Sequence, residues 1–436
     1  MRKQKRIWAY LLSAAMVVTS FTMSSATGKA EGTTEKGKIV SVTDRTSTKK
    51  AASVTENGKV ASVTKKVSTK KTAGTDSFQD LNRQQITEAM GVGYNLGNSL
   101  EANSGETPNE TAWGNPVLTK EFVLAAKAAG FQSIRIPVSY LSKIDDNNGY
   151  KIDSAWLDHV QEVVDYCVDN ELYVILNIHW DGGWLENDIP NGYNKAVDQK
   201  QRALWQQIAT FFRNCDERLI FAGCNEPNVE DADDMAVLLQ YEQTFVDAVR
   251  ATGGKNVYRN LIVQGPATDI DKTIQWMDRL PEDPTEGRMI VEVHYYSSWQ
   301  FCGMEKDESW GKAFYFWGEE NRGYAVGNYE GRWDNIGGEE YMKAQFQKLK
   351  TRFVEQNIPV LIGEFAAIRR QLSDEKAQRG HDLSRAAFDR CVVRQARAHG
   401  LVPFYWDRGD GVLNRNTLDI YDNLEYNGLI EGLATE

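Results

Sequence analysis

Little in this chain could hold a metal or a disulfide framework. Its 436 residues include five cysteines, at 167, 215, 224, 302 and 391, and only five histidines. The cysteine count is odd, the spacings are wide and there is no C-x-x-C, so neither a zinc motif nor a disulfide scaffold is written into the sequence. Cys167 and Cys224 lie in apolar runs and read as small buried thiols. No metal-ligand spacing appears among the histidines, and neither metal nor cofactor is expected. Basic charge is also scarce in the body of the chain. Residues 1–75 carry 15 Lys/Arg against 4 Asp/Glu, while the rest carry 35 against 57. An acidic body argues against a nucleic-acid partner and suits a neutral substrate.

What is present begins with an address. The basic "MRKQKR", the apolar "IWAYLLSAAMVVTSFTM" and the small-residue "SSATGKAEG" read as a secretory signal over residues 1–30, with cleavage after Ala26 or Ala30. A secreted, extracellular protein is therefore expected. Residues 31–75 form a basic linker in which "GKIVSVTDRTSTKK" (37–50) recurs as "GKVASVTKKVSTKK" (58–71). Without aromatic residues it cannot bury enough apolar surface to offset ordering entropy, so disorder is expected. A spacer is the simplest role, and a weak association with an anionic cell surface is the other.

From residue 76 to 436 the pattern becomes that of a folded domain, expected to be monomeric. Eight short apolar runs alternate with helix-length amphipathic stretches. The runs are "GVGYNLGN" (91–98), "SIRIPVSY" (133–140), "YVILNIHW" (173–180), "LIFAGCNEP" (219–227), "NLIVQG" (260–265), "MIVEVHYY" (289–296), "PVLIGEF" (359–365) and "VPFYWD" (402–407). Continuous β-branched and aromatic runs suit strands buried on both faces. Helices are expected over 119–130, 154–171 from a Ser cap, 200–214, 235–254, 339–357 and 384–400. Eight strand–helix units point to a (β/α)8 TIM barrel in one domain, with a doubly wound open sheet as the other arrangement.

In a barrel, chemistry sits at the C-terminal ends of the strands. Those ends offer Asn95 and Asn98; Arg135; His179 and Trp180; Asn225 and Glu226; His294, Tyr295 and Tyr296; Glu364; and Trp406 and Asp407. Every run except the fifth finishes on a polar or aromatic side chain of catalytic type. Glu226 and Glu364 fall on strands four and seven, across the mouth from each other. Paired carboxylates without a metal motif suggest glycoside hydrolysis. Trp113, Trp180, Trp184, Trp299 and Trp406, at or just beyond strand ends, offer flat apolar area to the C–H faces of sugars, a supply that agrees with this chemistry.

At this point the residues resemble glycoside hydrolase family 5, the retaining barrel hydrolases that include many secreted cellulases. The resemblance runs from about residue 80 to 433 through "GYNLGNSLEA", "WGNP", "GFQSIRIPVSY", "VILNIHWDGGW", "FAGCNEPN", "VEVHYY", "PVLIGEF" and "FYWD", in family order. It implies Glu226 as general acid/base and Glu364 as nucleophile. Asn225 would bond the 2-hydroxyl of the cleaved sugar, and Tyr296 would sit against the nucleophile, with Arg135 beneath it. His179 and His294 would line the cleaved-sugar site, Trp180 would border it and Trp406 would be its floor. Arg135 and the Tyr296 hydroxyl would favour a charged nucleophile. Tyr140 stands where the family more often has Trp, a difference that bears on distal contacts rather than cleavage.

Other residues read as structural. Asn95 and Asn98 would shape the first turn, Glu292 would be paired inside the barrel, and His159, His381 and His399 would lie on helix surfaces. The long segment 297–338, with Trp299, Trp310, Trp317 and Trp333, would build a cleft wall. The function expected is a retaining endo-β-1,4-glucanase acting on cellulose-type β-glucans. A xyloglucan- or mannan-specific relative and a non-catalytic carbohydrate-binding protein are the alternatives.

Overall fold

A computed structural model describes residues 81–105 and 107–434. The signal, the linker and its repeat lie outside the described residues. The eight expected runs become eight parallel strands: β1 (Gly93–Leu96), β2 (Ser133–Ile136), β3 (Tyr173–Asn177), β4 (Leu219–Ala222), β5 (Leu261–Gln264), β6 (Met289–His294), β7 (Val360–Phe365) and β8 (Leu401–Asp407). They close into a barrel in sequence order, with β1 paired to both β2 and β8. The (β/α)8 reading therefore holds and the open sheet is excluded.

Alternation along each strand sorts the side chains. Tyr94, Ile134, Val174, Leu176, Phe221, Val263, Val291, Val293, Ile362 and Tyr405 join the large core between strands and helices. The alternate positions Ile175, Ile220, Ala222, Ile262, Ile290, Leu361, Val402 and Phe404 form a second cluster inside the barrel, together with Ile86 and Met90 from the first described helix, Arg83–Ala89, and its end. Further toward the strand C-termini the same inward-facing rows turn polar, at Asn95, Arg135, Gln264 and Glu292, all 0% exposed. The apolar layer thus seals one end of the barrel, and the functional rim stands on a charged layer above it. Gly93 permits this packing, because a Cβ there would lie 2.1 Å from the Phe404 ring.

Helices begin earlier than their apolar stripes. Lys195–Phe211, Ala232–Ala251 and Glu375–Ala398 start at side-chain caps from Asn194, Asp231 and Asp374, ahead of the expected 200, 235 and 384. Their first turns are polar, so periodicity signals them late, while the caps satisfy orphan N–H groups. The helix Ser154–Val168 is capped by Asp153 rather than by Ser154. Ile270–Trp276 and Asn423–Glu431, both short, carry no stripe long enough to announce them.

Two of the three helix histidines are not on the surface. His381 is 0% exposed, bonded to the Arg370 N–H and the Tyr315 carbonyl, and His399 is buried against Gln395 and Phe346. Hydrogen bonds satisfy both rings, which is what lets an imidazole be buried. His159 is partly exposed, beside Glu110. The cysteines are all free thiols, and Cys167 and Cys224 are buried as expected.

Candidate active site

The site is built at the ends of β2, β4, β6 and β7. Arg135 lies wholly buried on β2, and its guanidinium touches four groups. Nη1 donates to Asn95 Oδ1 at 3.0 Å and to Glu364 Oε1 at 2.8 Å, Nη2 donates to Asn225 Oδ1 at 2.9 Å, and Nε lies 2.9 Å from Glu292 Oε1. A buried cation must be paired, and this one organises the floor of the site. Asn95 is more than a turn-former, since its amide also donates to the Gly363 and Tyr405 carbonyls. Asn98, with φ of 56°, does shape the turn.

Glu364 reaches the interior through an irregularity. Strict alternation after Leu361 would send residue 363 inward and 364 outward. The register between β6 and β7 shifts so that His294 pairs with Glu364, which turns the carboxylate in and sends Phe365 to the outer core. The residue passed over is Gly363, where a Cβ would lie 1.9 Å from Glu292 Oε1. Glycine there admits the Arg135–Glu292 pair beneath the nucleophile position. Tyr296 donates its hydroxyl to Glu364 Oε2 at 3.0 Å.

Glu226 follows β4 and is the more open of the two acids, with a side chain 22% exposed against 4% for Glu364. His294 bridges them: Nδ1 is 2.8 Å from Glu226 Oε1 and 3.6 Å from Glu364 Oε2, while Nε2 is 3.4 Å from Glu292. Glu226, His294 and Glu364 offer side-chain atoms that all lie within 4.8 Å of one another. As a metal trio it is poorly prepared, because donors from Arg135 and Tyr296 already occupy the Glu364 oxygens. As a carboxyl pair, with one oxygen of each acid within 4.8 Å of the other, it is closer to the about 5–5.5 Å found where one acid attacks and the other protonates than to the about 6.5–9.5 Å that leaves room for a water.

The electrostatics follow from burial and pairing. Burial pushes the Glu292 carboxyl up, but Arg135, then His294 and Gln264, overrides it and holds the pKa at about 2. Burial disfavours the His294 imidazolium, yet Glu364, Glu226 and Glu292 outweigh it and raise the pKa to about 9. The Glu364 carboxyl is raised by burial, opposed by His294 and Arg135 and reinforced by Glu226 and Glu292. Arg135 and Tyr296 thus do favour its charge, but they work against desolvation and two like charges. The Tyr296 hydroxyl is held far above its usual range by burial and by Glu364, and so remains a donor. His179 is held low by burial and by the cations Arg135 and His294, so its imidazole is neutral.

These shifts give a stability signature. His294 titrates at about 9 when folded, against an ordinary 6.5. Its contribution is fully present below pH 6.5 and lost as pH rises through about 9. Thermal melts across that window should show a shallower alkaline decline in His294→Gln than in the wild type. Equal slopes would mean that His294 does not change charge there.

The remaining expected residues border this core. The His179 ring stacks on Trp406, centroids 5.6 Å apart and planes at 16°, and Asn177 holds its Nδ1 at 3.3 Å. Trp180, partly buried, has φ of 26° and is followed by Asp181 at 45°. The Asp181 carboxylate accepts from the Ser139 hydroxyl, the N–H groups of Tyr140 and Leu141 and the Trp184 indole, which pins this strained turn. Tyr140 is itself fully buried and makes no cleft wall. In the 297–338 segment Trp310 is exposed and Trp299 partly so, edge-on to Tyr296 at 6.2 Å. Trp317 is 2% exposed, its indole bonded to the Gly337 carbonyl, so it is core of that segment and not wall.

Sequence reading passed over Gln264, which donates to Glu292 at 2.7 Å and accepts from the Cys224 N–H. Its signal was its inward register at the end of the fifth run. It also passed over Glu186, buried in the loop after β3, for which no pattern gave notice.

Residues 97–411 match the family model described as Cellulase (glycosyl hydrolase family 5). The chain is 37% identical over 359 residues to endoglucanase A of Paenibacillus barcinonensis, covering 77% of this chain and 85% of that one. A Bacteroides ovatus family 5 xyloglucanase, solved with a XXXG heptasaccharide, superposes with a TM-score of 0.74 at 37% identity, over 82% of this chain and 78% of that one. A family 5 xyloglucanase from Paenibacillus pabuli, solved with ligand, gives 0.72 at 38% identity, over 80% and 100%.

Proposed function

The chain belongs to glycosyl hydrolase family 5 and is an endo-β-1,4-glucanase, and from that premise we propose that it is a secreted, retaining enzyme in which Glu364 attacks and Glu226 moves the protons. One observation carries the mechanism: the Glu226 and Glu364 oxygens converge within 4.8 Å, with Glu364 gripped by Arg135 and Tyr296. In the first step a Glu364 oxygen bonds the anomeric carbon, the glycosidic C–O bond breaks, and the leaving oxygen takes a proton from Glu226. In the second, Glu226 takes a proton from water, whose oxygen displaces Glu364 and restores the original anomeric configuration.

The charge balance supports these roles. Arg135 and protonated His294 offset the charges of Glu292 and Glu364, and Glu226, the more open of the two acids, faces His294 and the cleft, as a group that hands a proton to the leaving oxygen must. Asn225, whose Oδ1 accepts from Arg135, keeps its NH2 for the 2-hydroxyl of the reacting sugar. His179 and Trp406 form its aromatic floor, and Trp180 borders it. Formation of the glycosyl ester removes the negative charge of Glu364, which frees Glu226 to act as a base. Secretion rests on the N-terminal basic–apolar–small pattern alone.

Unsubstituted β-1,4-glucans are the first reading of the substrate. A second, xyloglucan, is favoured by the two solved relatives above, both of them xyloglucanases. Initial rates on carboxymethylcellulose, mixed-linkage β-glucan, xyloglucan and mannan separate the two, and mannan above every glucan would overturn both. Proton NMR of early products tests the mechanism. The β-anomer should appear first, and an α-anomer would refute retention.

A further inference from the structure

The segment that carries Glu226 has no regular structure of its own. After β4 ends at Ala222, residues 223–231 belong to no helix or strand. Their backbone polar groups must be satisfied from elsewhere, and whatever satisfies them sets the direction of the acid. On one side the Ala267 N–H donates to the Pro227 carbonyl at 2.8 Å. On the other side stands the loop after β3. Glu186 Oε1 accepts from the Asn225 N–H at 3.3 Å, the Glu186 carbonyl accepts from the Asn228 N–H at 3.3 Å, and the Asn228 amide donates to Asn187 Oδ1.

Glu186 is 2% exposed, and among the described residues no cation is bonded to it. We propose that Glu186 is a positioning residue for the acid/base: it grips both ends of the Asn225–Asn228 segment and so sets the aim of the Glu226 carboxyl. The inference rests on the reading of Glu226 as general acid/base. The side chain has no other evident purpose, since a buried carboxyl without a cationic partner is costly and gives nothing to packing that Leu or Met would not. Burial pushes it up to about 8, against the backbone N–H groups that bond it. Burial thus favours its neutral form, in which the carbonyl oxygen still accepts the Asn225 N–H.

Leaving groups discriminate this role from a merely structural one. A dinitrophenolate departs without a proton, whereas a phenolate needs one, so a misdirected acid harms the second far more than the first. In Glu186→Ala, kcat/KM for phenyl β-cellobioside should fall roughly 10- to 100-fold, the scale of an ångström-level misplacement. With 2,4-dinitrophenyl β-cellobioside the loss should stay within about threefold, because the nucleophile is untouched. Glu186→Gln keeps the accepting oxygen and should recover most of the phenyl activity. If Glu186→Ala does not fold, Glu186→Asp, which draws the oxygen back by one methylene, should show the same selectivity in weaker form. Equal losses on both substrates would overturn the proposal. Glu226→Ala serves as the reference: selectivity there without selectivity at Glu186 refutes the positioning role alone, and its absence in Glu226→Ala refutes the underlying assignment.

Discussion

Glu364→Gln is expected to lower kcat by a factor on the order of 10^5, the scale on which removal of a covalent nucleophile is felt. The fold should survive the change. The Gln carbonyl can keep the Arg135 bond at the Oε1 position, and its NH2 can turn toward the Tyr296 hydroxyl, which accepts as readily as it donates. Binding should survive as well, so cellotetraose titrated calorimetrically into the variant should retain an affinity within a few-fold of the wild type. Loss of turnover with binding intact is the signature of a group used in the reaction step. A smaller variant sharpens the test. Glu364→Ala leaves a hole on the face opposite the leaving group, and azide supplied there should form the carbon–nitrogen bond as the activated aryloxide departs. The product would be the α-glycosyl azide. A β-azide would place the vacated carboxyl on the leaving-group side and exchange the roles of Glu226 and Glu364.

Much of this site is legible at the strand ends. Eight apolar runs announced eight strands, because strands buried on both faces must be continuously apolar. Reading only their C-terminal residues gathered Arg135, Asn225, Glu226, His294, Tyr296 and Glu364, which the fold brings into one hydrogen-bonded cluster. Alternation would have failed at Glu364 itself. Its inward turn depends on the register shift at Gly363, so its place at the strand end identified it where a strict period of two would have turned it outward. His381 and His399 failed for a different reason. A helix with polar first turns and small buried residues hides which face is inner, and burial of an imidazole is decided by partners outside its helix, Tyr315 and Arg370 for His381. Glu186 was illegible because a loop has no period. Its role exists only through contact with residues some 40 positions away. Trp317 and Tyr140 show the limit of composition, since an aromatic residue near a rim serves the core or the cleft with equal chemical fitness.

The second large effect is expected at Arg135, where stability and activity should fall together and then come apart. Arg135→Met removes the cation that Glu292, Glu364, Asn225 and Asn95 share, and leaves Glu292 wholly buried with Gln264 and His294 as its polar partners among the described residues. Breaking a buried ion pair from one side costs about 3–5 kcal/mol, because the other charge loses its main partner, and His294, 3.4 Å from Glu292, makes up only part of that loss. Glu292 now owes its pKa of about 2 chiefly to Arg135. Its stabilising share is present above pH 4.5 and lost as pH falls toward about 2. The deficit of the variant should therefore be largest at neutral pH and shrink in acid, where a protonated Glu292 no longer needs the cation. Adding Glu292→Gln to Arg135→Met should recover much of the melting temperature by removing the orphaned charge. It should not recover kcat, expected to be lower by about 10^2–10^3, since Glu364 and Asn225 would still lack the donor that aims them. Full recovery of both would reduce Arg135 to a structural counter-ion. Recovery of neither would mean that Glu292 is not the charge it compensates.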